Sequence, residues 1–327
     1  MFTKQLARVV PFVVLASGLV CAQEPAGAPA DLNKPEVQAF IAKAKKAAGT
    51  QWAGVEHFLC EEPRGASAND PLVEPTKLFD NLYLLGKDGG EIYAITTSAG
   101  IILLGSGGAT ETETVLLAGM KKLGLDPTQI KIVIVAHGHA DHFAGAKYLQ
   151  DHFGAHVYIA QQDWDLIERP APAAAEGKKK AAGPPVPKHD MLLEEGKPVV
   201  LGDGQIIPVF IPGHTAGSMG MFFEVRDNGK KHMAGIFGGA VLLVRAMSGD
   251  RDQYVKSIAH YREMAKKLKV DVQLKDHPLT DGEADKLAKI RARKKGEPNP
   301  FVVGQASYAR YLDVMNDCFE AQIAARK

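Results

Sequence analysis

Apolar residues between positions 82 and 104 come in three short runs, 82–85, 91–97 and 101–104, punctuated by Gly86, Gly89, Gly90, Gly100 and Gly105. Short apolar runs bounded by turn residues predict strands. Residues 130–135 form a run rich in β-branched residues, the pattern of a strand buried on both faces. The runs 157–160, 199–201, 206–211, 220–225, 232–237 and 270–274 repeat the strand signal, and Met219, Met221, Phe222 and Phe223 read as core. Helical spacing separates them. In 35–48, Val37, Phe40, Ile41 and Ala44 share a face, with lysines opposite. In 111–123 the recurring residues are Val115, Leu116, Met120 and Leu123, and 142–152, 161–167, 250–268 and 281–293 also predict helix. The last helix, 305–325, carries a stripe of Tyr308, Tyr311, Leu312, Met315, Phe319 and Ile323. Strand clusters interleaved with helices, without internal repeats, predict an α/β sandwich of two sheets with helices outside.

Three stretches break the pattern. Residues 23–34 are rich in Pro, Ala and Gly, and 61–76 hold the Pro, Gly, Ser, Asn and Asp of a loop. Residues 169–190, RPAPAAAEGKKKAAGPPVPKHD, read as an exposed insertion, because strand signals resume beyond it in the same style. The triplet Lys178 to Lys180 reads as solvated loop.

Residues 1–22 have a different character. Lys4 and Arg8 precede an apolar stretch, 9–20, of the length found in a secretory signal, with a cut after Ala22. A lipoprotein signal acylated at Cys21 and an uncleaved anchor are the alternatives, and the large residues Leu19 and Val20 beside Cys21 speak against the first. The protein is then expected to be periplasmic or secreted, with no membrane attachment after cleavage. Removal of residues 1–22 takes two positive charges from a chain of net charge +1. Near-neutrality gives no electrostatic reason to expect nucleic acid as a partner. Cys60 and Cys318 remain, an even pair that invites a disulfide in an exported protein. Two buried free thiols are the alternative. A small-molecule substrate is the expected partner, and oligomeric state is not readable.

The chemistry concentrates in His137-Gly138-His139-Ala140-Asp141-His142, directly after the predicted 130–135 strand. This places three of the chain's 11 histidines and a carboxylate within six residues at the end of a rigid strand. Neutral imidazole nitrogen and carboxylate oxygen are zinc ligands, and the glycine and alanine between them leave room for an ion. His57, His152, His156, His189, His232 and His260 have no such neighbours and read as structural or surface residues.

The motif His-x-His-x-Asp-His resembles the signature of the metallo-β-lactamase superfamily. Pro212-Gly213-His214-Thr215-Ala216-Gly217-Ser218 resembles the family's second metal motif, and Asp276-His277-Pro278 the one carrying its final histidine. The resemblance spans residues 82–277 and implies an αββα sandwich: a single hydrolase domain over 77–327 with a C-terminal helix, after a leader, helix and loop over 23–76. It further implies two Zn2+ per chain, the first held by His137, His139 and His214, the second by Asp141, His142 and His277. Asp141 is then the catalytic residue, binding metal and orienting the attacking hydroxide.

Many relatives have a bridging aspartate on the strand after the second motif, where this chain reads Phe237-Gly238-Gly239-Ala240-Val241. The remaining set resembles the third, di-zinc subclass of class B β-lactamases, and so implies opening of β-lactam rings. Ala240 and Leu242 stand where that subclass often has serines holding the substrate carboxylate. A di-zinc hydrolase of another ester, lactone or phosphoester is the second reading, and a non-catalytic metal-binding protein the third. The early turn that carries a supporting aspartate in many relatives reads Leu104-Gly105-Ser106-Gly107 here, with the Ser106 hydroxyl as the available substitute.

Overall fold

The computed structural model describes residues 31–61, 67, 69–169, 183–240, 250–276 and 283–326. The expected signal (1–22), most of the 169–190 insertion, Leu242 and His277 lie outside the described residues. Among the described residues, twelve strands fall in two sheets. The first holds β1 (Thr76–Phe79), β2 (Leu82–Lys87), β3 (Gly90–Thr97), β4 (Gly100–Leu104), β5 (Ile130–Ile134), β6 (His156–Ile159) and β7 (Met191–Leu192), side by side in chain order. It is antiparallel from β1 to β4 and parallel from β4 to β7. The second holds β8 (Val199–Leu201), β9 (Gly204–Phe210), β10 (Met219–Asp227), β11 (Lys230–Ile236) and β12 (Val272–Leu274), in the order β12-β11-β10-β9-β8.

Three apolar layers glue the sheets to each other and to the helices. Leu82, Leu84, Tyr93, Ile102 and Ile134 of the first sheet meet Met219, Met221, Phe223 and Ile236 of the second. Alternate residues of the same strands, among them Leu85, Ala94, Leu103 and Val133, point outward. They pack under α3 (Ala118–Lys122), α4 (Ala140–Phe143), α5 (Ala146–Phe153) and α6 (Gln161–Ile167) through Met120, Phe143, Leu149 and Trp164. The outer face of the second sheet is covered by α1 (Pro35–Ala48), α2 (Ala53–Glu56), α7 (Arg251–Lys267) and α9 (Gln305–Ala324), whose Val37, Ile41, Tyr261, Tyr311 and Phe319 meet Val209, Phe222 and Phe237. The remaining helix, α8 (Glu283–Ala292), contributes Leu287 to the layer between the sheets. The expected αββα sandwich with its C-terminal helix is therefore the fold. Each fully buried Leu or Phe contributes about 1.5–3 kcal/mol toward it. No helix of the described residues is long and apolar enough to cross a membrane.

Cys60 and Cys318 form a disulfide tying the segment after α2 to α9. Both sulfurs are buried in the helical layer over the second sheet.

Two predicted helices differ in detail. The expected helix 142–152 is two, α4 and α5, broken at Ala144 and Gly145. The turn at Ser106 is the cause: it presses so close that a Cβ on Gly145 would lie 2.3 Å from the Ser106 carbonyl oxygen. The Ser106 N–H also takes the His142 carbonyl at 2.9 Å, and Gly145 donates to Gly107 instead of continuing the helix. The expected helix 111–123 opens as a π-helical turn, Thr112–Leu117, in which Val115 and Leu116 share the Glu111 carbonyl. Strands β1 and β7, too short for a periodic signal, were not expected.

Candidate metal centre

Strand β5 points its C-terminal end at one rim of the sandwich, and the chain leaves it through Val135, Ala136 and His137. The Ala136 carbonyl accepts from Met219 N at 2.8 Å, which joins this exit to the second sheet. His139 then starts α4, its carbonyl accepting from the N–H groups of His142 and Phe143. The tight turn brings His137 and His142 together, with ring centroids 4.3 Å apart. From the other sheet, the loop between β9 and β10 delivers His214. Its ring lies 4.6 Å from those of both His137 and His139, and its Nε2 is 3.0 Å from His139 Nδ1.

One buried side chain holds the two loops in register. Asp163, on α6, is fully buried. Its Oδ2 accepts from Gly138 N and from Thr215 Oγ1, each at 2.6 Å, and its Oδ1 from Gly217 N at 3.0 Å. A single carboxylate thus grips the residue between His137 and His139 and the residues following His214. Burial pushes the Asp163 carboxyl above its ordinary range, against the pull of those three hydrogen bonds. Gly217 has no space for a side chain, since a Cβ there would stand 2.6 Å from the Asp163 carboxyl carbon.

Ser106 does not replace the supporting aspartate as a partner of a side chain. Its hydroxyl donates to the His142 backbone carbonyl at 2.7 Å, so it fixes the main chain of the motif. Asp141 lies on the open side, with Oδ2 3.6 Å from His142 Nε2 and its side chain 36% exposed. Ala240 is buried and brings no polar group to the rim. The six remaining histidines all bond elsewhere: His57 to Glu61, His152 to the Tyr148 carbonyl, His156 to Asp190, His189 to Glu168, His232 to Asp271 and His260 to Glu195.

Four of the six expected ligands, His137, His139, His142 and His214, converge; Asp141 sits beside His142. The ligand atoms of His137, His139 and His214 all lie within 4.8 Å of one another, as do those of His137, His142 and Asp276. Two nitrogens on one tetrahedral zinc, each bonded at 2.0–2.1 Å, stand about 3.4 Å apart, close to the 3.0 Å between His139 and His214. Several imidazoles that face one another in a dry interior suit a cation better than they suit each other. Beside them, Asp276 Oδ1 is a buried carboxylate oxygen with no hydrogen-bond partner among the described residues, a negative charge that favours a cation nearby. The donor set therefore fits a divalent ion of the zinc type.

Beneath the centre lies a buried ionic cluster that sequence reasoning missed. Tyr93 Oη donates to Glu91 Oε2 at 2.5 Å, and Lys275 Nζ lies 3.7 Å from Glu283 Oε2. Burial, then the nearby Glu283 charge, pushes Glu91 well above the ordinary carboxylate range, despite the Tyr93 hydrogen bond and Lys275. The folded state therefore retains a proton that the unfolded chain releases at lower pH. Stability from this group is present below the unfolded-state pKa and is lost as pH rises toward the folded one. Glu91→Gln, which mimics the neutral acid, should flatten that fall without loss of stability at pH 7, as read by denaturant unfolding at pH 5 and 8.

Comparison with known proteins agrees with this geometry. Residues 85–227 match the family model of the metallo-beta-lactamase superfamily. The solved structure of BJP-1, a subclass B3 metallo-beta-lactamase of Bradyrhizobium japonicum, superposes with a TM-score of 0.63 at 27% identity, covering 85% of this chain and 98% of that one. Native FEZ-1 metallo-beta-lactamase from Legionella gormanii shares the fold with a TM-score of 0.62 at 23% identity, over 80% of this chain and 99% of its own. The probable metallo-hydrolase YflN of Bacillus subtilis (strain 168) is 27% identical over 119 residues, 33% of this chain. That match spans less than half of the relative's length, 44%. The family match spans residues 85–227, and the chain shares the fold of the metallo-beta-lactamase superfamily. Within it, the solved structures it resembles include subclass B3 metallo-beta-lactamases.

Proposed function

We propose that the protein is an exported hydrolase that holds two zinc ions and opens β-lactam rings. The observation that carries the reading is the convergence of His137, His139 and His214 from two sheets, with their ligand atoms within 4.8 Å of one another. His137, His139 and His214 would hold the first ion; Asp141, His142 and His277 would hold the second. Zinc in such a site would supply Lewis acidity toward a carbonyl and bring the pKa of water down to about 7. The chain's own groups supply the rest. The Asp141 carboxylate, about a third exposed beside His142, would orient the attacking water and accept its proton. The closely packed histidine rings keep bulk water from the floor of the site. Neither Cys60 nor Cys318 can act as a nucleophile, because each is committed to the disulfide.

The β-lactam substrate is supported by the likeness to BJP-1, a subclass B3 metallo-beta-lactamase, over 85% of this chain. The apolar Ala240 favours a second substrate class, a lactone or other ester without a carboxylate to be held at that wall. Export is supported by the signal-like pattern of residues 1–22 and by the disulfide, which persists in oxidising compartments. No partner beyond a small-molecule substrate is proposed.

The test is cephalosporin ring opening by zinc-loaded protein lacking residues 1–22, alongside lactone and phosphodiester substrates. Ring opening should be measurable and should fall at least about 100-fold in Asp141→Ala, the scale of a lost general base. Turnover of a lactone or phosphoester but of no cephalosporin would replace the substrate. Turnover of nothing by folded, zinc-loaded protein would contradict the enzyme.

A further inference from the structure

Asp276 follows β12 and lies against His137. Its Oδ2 is 3.8 Å from His137 Nδ1, and the residue is 5% exposed. The same oxygen accepts from Gly239 N at 2.6 Å, while Oδ1 has no hydrogen-bond partner among the described residues. The main chain here is held from the opposite sheet, since the Asp276 carbonyl accepts from Glu91 N at 3.1 Å.

Gly239 explains why the carboxylate arrives from β12 rather than from the end of β11. Its φ is +75°, and a Cβ there would meet the His214 ring at 2.5 Å. The β11 end can therefore offer only a backbone N–H, and Asp276 takes it. Between Gly105, Ala136, His142 and Asp276 a void of about 10 Å³ remains. It has room for about one water and is too small for a larger ligand.

A histidine nitrogen that faces a carboxylate carries the proton, which leaves the lone pair on the other nitrogen. With Nδ1 turned to Asp276, the Nε2 of His137 is the atom left for His139 and His214 to share an ion with. We propose that Asp276 is a positioning residue of the metal centre: its carboxylate, 3.8 Å from His137 Nδ1, favours the proton on that nitrogen by its charge, fixes the tautomer, and thereby presents Nε2 as the ligand atom. The inference rests on the metal-centre reading above. It assigns Asp276 a role outside the set Asp141, His142 and His277.

Zinc affinity by competition with a chromophoric chelator, and the His137 tautomer in zinc-free protein by long-range 1H–15N NMR, test it together. Asp276→Ala should bind zinc about 10–100-fold more weakly, the usual cost of losing such a partner. The His137 ring should shift from the Nδ1–H form toward Nε2–H. Asp276→Asn retains an acceptor oxygen and should recover part of both, and it serves alone if the alanine variant does not fold. Equal zinc affinity in wild type and both variants overturns the proposal. So does a loss of affinity with an unmoved tautomer, which would make Asp276 a direct ligand. Failure of the wild-type protein to bind zinc would instead defeat the metal-centre reading itself.

Discussion

Asp163→Ala should destabilise the fold by about 3–4 kcal/mol and loosen the metal centre at the same time. The carboxylate bonds both histidine-bearing loops at once, through Gly138, Thr215 and Gly217. Alanine leaves two backbone N–H groups and a hydroxyl buried without that acceptor, and each orphaned buried donor costs about 1–3 kcal/mol, not additively. Relief of the desolvation that raises the Asp163 pKa offsets part of the loss. Asp163→Asn should cost less. Its carbonyl oxygen can keep Gly138 and Thr215, but its amide would face the Gly217 N–H, donor to donor. Denaturant unfolding of zinc-free protein measures the stability, and chelator competition measures the accompanying loss of zinc affinity. A stability within about 0.5 kcal/mol of wild type would remove Asp163 from this role.

Much of this site was legible before any coordinates. The His137–His142 motif concentrates donors in a way loops rarely do, and strand β5 before it was plain from its β-branched run. Asp163 was not singled out, although a signal existed. It lies four residues from Ile167 and one from Trp164, so the apolar face of α6 carries an acid at a buried position. An acid on a core-facing position is a demand for partners, but sequence does not say that the partners are backbone groups of two distant loops. Asp276 stood next to a recognised histidine and was read only as its neighbour. Its proximity to His137 depends on the parallel pairing of β12 with β11, a tertiary fact. The helix break at Gly145 was invisible for the same reason: the turn at Ser106 that forces it is nearly 40 residues away in the chain.

His214→Ala should separate metal binding from stability, which Asp163→Ala does not. The imidazole stands against the other site histidines, its Nε2 3.0 Å from His139 Nδ1 and its ring 4.6 Å from that of His137. Its loss takes away the second sheet's contribution to the first ion, so zinc affinity should fall more than about 100-fold, beyond the range for an orienting partner. Hydrolysis at limiting zinc should fall with it. The Asp163 clamp on Gly138, Thr215 and Gly217 survives, so zinc-free protein should unfold much nearer the wild-type midpoint than Asp163→Ala does. A zinc-free His214→Ala protein as unstable as Asp163→Ala would show that the ring serves packing rather than metal.

Zinc counted per folded chain tests the central claim most directly. Native mass spectrometry of wild type, His214→Ala and Asp276→Ala, each dialysed against the same low free zinc, reads occupancy without depending on any substrate. Two zinc ions on the wild type, with one or both lost from His214→Ala, is the expected result. A folded wild-type chain that carries no zinc, or one whose zinc content is unchanged when His214 is removed, would contradict the metal centre and the hydrolase built on it.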